Sequence, residues 1–270
     1  MSTATAPFPQ IQTRPLNKTL SIYFREARAE FLTRLRLRAY SMSIIGFPLM
    51  FYVLFGLVLN RDAAVQGTQF TTYLIATYGT FGVMGAALFG TASGLAAERG
   101  LGWLQVKRAS PMPPFAYFAA KVVMSTIFST IVVVLLFTLG ITFGGVHLSA
   151  ALAIKLLSTL VIGSLPFCAM GLAIGYFAGP SSAPAIINLI YFPMSFCSGL
   201  WVPIMFLPKV LRSFARVLPP YHLAQLALST VGAGQHESNW IHWEVLIGFT
   251  LICVGIARLG FQRDEGKMYG

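Results

Sequence analysis

The side chains able to do acid–base or ligand chemistry are few, and their positions limit what the chain can do. Its 270 residues include eight Asp and Glu and four His. Glu26, Glu30, Asp264 and Glu265 lie near the termini, and Asp62, Glu98 and Glu237 lie in short polar connections. Glu244 stands at the start of the last apolar stretch. Ion-coupled transporters hold ionisable groups at mid-membrane depth to bind and release the coupling ion. No apolar stretch here carries one at its middle, which argues against that class. His147, His222, His236 and His242 show neither metal-ligand spacing nor a neighbouring acidic pair, so interface roles suit them better than catalysis. No glycine-rich phosphate loop followed by Lys-Ser/Thr is present, so energy for any work must come from another protein.

The most organised polar set is a charged island, Glu98, Arg99, Gly100, Trp103, Leu104, Lys107 and Arg108, closed by Pro111, Pro113 and Pro114. A glycine-relaxed start, an apolar pair and a proline-rich stop predict a short amphipathic helix that ends sharply before the next stretch. Such an element suits docking of a partner. The alternative is an ordinary connecting loop whose cations only set topology.

The elements that position this island are membrane spans. The chain is 56% hydrophobic and 10% charged, with a mean hydropathy of +0.72, where soluble domains average about a quarter charged. No charged residue occurs from 63 to 97 or from 122 to 154, and ~20 apolar residues suffice to cross a bilayer. The net charge of +11 gathers at the termini and beside the spans rather than among surface aromatics. That is the positive-inside pattern and not a nucleic-acid platform. Cys168, Cys197 and Cys253 sit in apolar stretches, an odd number suited to packing rather than a disulfide framework. The first forty residues hold no early apolar core, so no signal peptide is expected.

Taken in order, residues 1–40 are expected to form a tail and an amphipathic interface helix. Its stripe is Leu20, Phe24, Ala27, Phe31 and Leu35, with Arg25 and Arg28 beside it near lipid headgroups. A helix packed on a soluble partner would carry the same pattern. Residues 41–260 read as a six-span domain, with spans near 41–59, 70–97, 115–143, 151–178, 183–202 and 240–259. Pro48 is tolerated inside the first, and Gly90 and Gly94 allow close helix approach in the second. Lys121 is expected to snorkel out of the third toward Arg108. Residues 261–270 form a second tail. An even span count puts both termini on one side. With Lys121 included, fourteen Lys and Arg lie with the termini and the 98–114 loop, against five (Arg61, Lys155, Lys209, Arg212 and Arg216) opposite. The loop and both termini are therefore expected in the cytoplasm.

Residues 203–239 carry a short helical pattern, Val210, Leu211, Phe214, Val217 and Leu218, bounded by prolines. A helix of two to three turns cannot span a bilayer, so an outer re-entrant cap built on Gly199, Pro203, Pro208, Phe214 and Pro219 is expected. A plain loop joining spans five and six is the alternative. Tyr73, Tyr78, Asn188 and Tyr191 are polar handles within spans. They either line a path or hydrogen-bond between helices for packing.

The run from Glu98 to Leu104, then Arg108-Ala109-Ser110-Pro111-Met112-Pro113-Pro114 and Tyr117, resembles the cytoplasmic loop of type-2 permease subunits of ATP-binding-cassette exporters. A second block, Ser198-Gly199-Leu200-Trp201-Val202-Pro203, then Leu207-Pro208 and Leu218-Pro219-Pro220-Tyr221-His222, resembles that family's C-terminal pattern. Leu101-Gly102 stands where many members have a Gly-Thr pair. The resemblance implies a permease subunit in a bacterial inner membrane that moves a lipophilic or amphipathic substrate outward. It further implies a homodimer, with no cofactor in this chain and with ATP and Mg held by a separate ATP-binding subunit. The island and the N-terminal helix would be the docking surfaces, and membrane lipid the surroundings. The other readings are a membrane scaffold or assembly factor that recruits a cytosolic protein, or a membrane-embedded lipid enzyme.

Overall fold

The computed structural model describes residues 16–60, 63–65, 67–109, 112–235 and 237–266. The chain runs through α1 (Leu16–Arg36), α2 (Arg38–Phe51), a two-residue hairpin β1 (Ala64–Val65) and β2 (Thr68–Gln69), and α3 (Phe70–Leu88). There follow α4 (Gly94–Gly100), α5 (Trp103–Ala109), α6 (Pro114–Phe143), α7 (Ala150–Ile162) and α8 (Leu165–Phe177). Last come α9 (Ala183–Cys197), α10 (Lys209–Ala215), α11 (Pro219–Thr230) and α12 (Asn239–Gly266). The expected all-α polytopic architecture is what the chain adopts.

Helix α3 is the axis. It has no charged side chain and is rich in Gly, Ala and Thr, and every one of its residues is buried. A helix apolar all round belongs inside a bundle, not at its rim. Helices α2, α6, α8 and α11 surround it. The axis continues through a π-helical turn, Phe89–Ser93, into α4, so Phe70–Gly100 is one 31-residue rod. Gly171 and Gly175 of α8 meet this rod at Thr91 and at the Ala92 carbonyl, leaving no room for a larger residue.

Among the described residues, five helices are long and apolar enough to cross a membrane: Arg38–Val58, Phe70–Gly100, Phe115–Phe143, Ala150–Phe177 and Asn239–Asp264. The expected fifth span is shorter than its sequence suggested. Helix α9 has 15 residues, with Pro193 inside it, so it rises only about 22 Å against a hydrocarbon core of about 30 Å.

The two-turn helix expected after Pro208 is α10. The sequence did not disclose α11, whose residues from Pro219 to Leu228 are all buried against α3, α7 and α12. Pro219 and Pro220 read as a boundary. Proline in a first helical turn starts a helix, because its missing N–H has no intrahelical partner to lose.

Candidate functional site

The charged island folds as the end of one helix, a turn and a second helix. Helix α4 carries Glu98, Arg99 and Gly100. Gly102, at φ +73°, turns the chain in a conformation that costs a glycine least. Helix α5 follows, as its residue pattern predicted. Its apolar pair is split: Leu104 is buried, whereas Trp103 is 55% exposed. Leu101 and Val106 also face outward. Arg108 lies on α5, and its side chain falls outside what the structure describes, as do Ser110 and Pro111.

Glu98 and Lys121 are where the structure departs most from expectation. Lys121 does not snorkel to a surface but is fully buried. Its ammonium donates to Glu30 Oε1 of α1 at 2.9 Å and to Glu98 Oε1 of α4 at 3.1 Å. Lys107 of α5 pairs with Glu26 and stands 3.8 Å from Glu98 Oε2, and Arg34 stands 3.6 Å from Glu30. Both ammonium groups lie 4.8 Å from the Tyr117 ring centroid, within cation–π range. Glu98 is thus no surface-loop residue: it accepts from a buried lysine on a neighbouring helix. A buried ammonium must be paired and hydrogen-bonded to persist, and these carboxylates supply that. Burial works to raise the Glu30 carboxyl, but Lys121 and Arg34 outweigh it and hold the group below its ordinary value. Burial likewise works to lower Lys107, and Glu26 and Glu98 more than offset it.

Helix α1 completes the cluster with a face the hydropathy pattern concealed. Leu20, Phe24 and Leu35 of the apolar stripe are exposed, with Arg25 and Arg28 beside them. Phe31 alone of the four large apolar residues packs inward, 5.5 Å from Phe128. What α1 turns to its neighbours is Glu26, against Lys107 of α5, Glu30, against Lys121 of α6, and Arg34, against Gly94 of α4, at steps of four. The Arg34 guanidinium lies directly over Gly94 of α4, where any Cβ would displace it.

Arg99 branches the other way. It donates to Asp264 Oδ1 of α12 at 2.9 Å and 3.3 Å and to the Gly175 carbonyl of α8 at 3.0 Å. Its guanidinium stands 5.8 Å from the Tyr176 ring. The island therefore clasps α1, α6, α8 and α12 at once.

The remaining candidates divide. Tyr73 and Tyr78 are buried, and Tyr78 donates to the Trp201 carbonyl at 3.4 Å. Tyr191 donates to the Phe81 carbonyl at 2.9 Å, its ring 4.7 Å from Phe81. Asn188 is exposed on α9. Of the outer set, Gly199 turns at φ +75°, Pro203 and Pro219 are buried, and Pro208, just before α10, and Phe214, on it, are exposed. A buried pair that sequence reasoning passed over lies beside them. His222 Nδ1 of α11 is 2.9 Å from His242 Nδ1 of α12, and His222 Nε2 donates to the Arg216 carbonyl at 2.8 Å. Burial lowers the His222 pKa, against the Arg216 carbonyl and Glu237, which raise it.

Two signals for the charged cluster were present in the sequence. Lys121 is the one charged residue between Pro114 and Lys155, and Glu26, Glu30 and Arg34 recur at helical spacing.

Among the described residues, a buried helical axis, five membrane-length helices and a charged helix–turn–helix at one end define a polytopic membrane protein. The ABC-2 type transporter family matches residues 24–231, and the chain belongs to that family. It is an integral membrane permease of an ABC transporter, a class that works with an ATP-binding-cassette subunit. It is 24% identical over 246 residues, 91% of this chain and 99% of the other, to the "Putative transport permease YvfS" of Bacillus subtilis (strain 168).

Proposed function

We propose that the protein exports a lipophilic or amphipathic substrate as a homodimer in a bacterial inner membrane, with six passages and both termini cytoplasmic. ATP and Mg are held by a separate ATP-binding subunit, which docks on α5 and the exposed side of α1. The observation that carries this reading is the two-sidedness of α5. Leu101, Trp103 and Val106 face outward, while Leu104 and Lys107 bind its other side to α1, α4 and α6. Force applied to α5 reaches the axial rod through Lys107 and Glu98. Residues 203–239, with α10 and α11, are read as the outer cap.

Co-purification with an ATP-binding subunit encoded nearby tests it. Trp103→Ala and Val106→Asp should each weaken capture of that subunit several-fold while the permease accumulates normally. Undiminished capture by both variants would overturn the docking assignment.

A further inference from the structure

Helices α6, α8 and α12 leave a slot between them that the preceding reading does not use. It is an open cavity of about 530 Å³ lined by Phe115, Phe118, Leu172, Val254, Phe261 and other apolar side chains, with Arg258 as its one cation. Phe115 is the second residue of α6, and Phe261 lies near the end of α12, so the mouth sits where these helices end. Val254 lies seven residues further into α12, about 10 Å deeper at 1.5 Å per residue. Arg258 is exposed, and no ion pair joins it to a carboxylate among the described residues. The structure thus presents a fixed positive charge near the surface beside an open apolar cavity that extends inward to Val254.

We infer that this slot binds one anionic phospholipid, an acyl chain between α6, α8 and α12 and the phosphate on Arg258. A convex helix face in a membrane is covered by exchanging lipid of any kind. A concave slot beside an arginine without a carboxylate partner among the described residues selects by shape and by charge. A soluble anion has no use for the apolar cavity, and a zwitterionic headgroup brings its own cation to the same place. One wall is held rigid by the Arg99–Asp264 pair and by Tyr176, whose ring meets Phe261 edge-on at 6.1 Å. The inference is independent of transport direction and of where the ATP-binding subunit docks.

Native mass spectrometry of the delipidated, detergent-solubilised full chain tests it, using phosphatidylglycerol and phosphatidylcholine with matched acyl chains. Expected is one saturable phosphatidylglycerol per chain, preferred over phosphatidylcholine, with the preference shrinking as ionic strength rises. Arg258→Gln should cut that preference about fivefold, the factor one interfacial arginine supplies, while Arg258→Lys keeps it. Ala257→Phe, which fills the slot, should lower uptake of both lipids, and Arg212→Gln on α10 should change nothing. Equal uptake of the two lipids by the unaltered chain, or an undiminished preference in Arg258→Gln, overturns the proposal. So does full competition by glycerol phosphate, which reduces the site to a simple anion contact. Should Arg258→Gln not fold, the salt dependence of the unaltered chain decides alone.

Discussion

At the α5 end, charged side chains from α1, α4, α5 and α6 neutralise one another around Lys121. At the α11 end the helices meet instead through rings and single hydrogen bonds, with Trp201 5.2 Å from Phe51 and 5.8 Å from Phe81, and Tyr221 edge-on to His222. Ring packing gains with area buried and tolerates small displacement. A buried ion cluster adds little over an apolar core of the same shape, yet breaking it is costly, because each lost partner strands a desolvated charge. The first kind of contact holds helices together, and the second fixes where they sit along one another. An end that must pass force from a docked partner to an axial helix needs that fixed register.

The comparison is broken most directly at its hub. Lys121→Met should destabilise the chain by about 3–5 kcal/mol, since it takes from Glu30 and Glu98 the buried ammonium that hydrogen-bonds both. Thermal unfolding in detergent measures this, and Lys121→Met combined with Glu30→Gln should recover part of the loss. A loss below about 1 kcal/mol would mean that the cluster holds no register. Glu98→Ala follows at about 1.5–3 kcal/mol, the worth of a hydrogen bond to a charged partner. The surface-loop reading predicts near-normal accumulation for that variant, so steady-state level alone separates the two.

At the other end Tyr191→Phe removes one hydroxyl from the Phe81 carbonyl and leaves the ring stack intact. It should cost about 0.5–1.5 kcal/mol and leave transport unchanged. Altered substrate selection in transport assays would instead make Tyr191 part of the path.

Acid should separate the ends with the smallest perturbation. His222 is depressed below its ordinary 6.5, so the folded state favours its neutral form. The stability this gives is whole above pH 6.5 and is lost as pH falls through the depressed value. Glu30 is depressed below its ordinary 4.5, so its contribution persists to pH 4.5 and is lost only below it. Hydrogen exchange corrected for intrinsic rate should therefore show α11 loosening before α1 as pH drops from 7 to 5. The opposite order would contradict the assignment of charge-pair and histidine chemistry to these ends.

Much of the architecture follows from the sequence alone. Charge-free runs placed the long helices, because crossing a bilayer demands apolar length whatever the neighbours do. Gly102 and the prolines after Ala109 bounded α5, and Pro208 bounded α10, because these residues act on the backbone locally. What the tertiary structure decided is what each helix faces. Lys121 meets Glu30 across 91 positions of sequence, and no local periodicity encodes a partner so distant. Helix α1 turned its charged steps inward because α6 offered a buried ammonium there, a gain that hydropathy counts as a cost. Helix α11 is buried at only 12 residues long because α3, α7 and α12 enclose it, and enclosure by neighbours is a property of the assembled bundle.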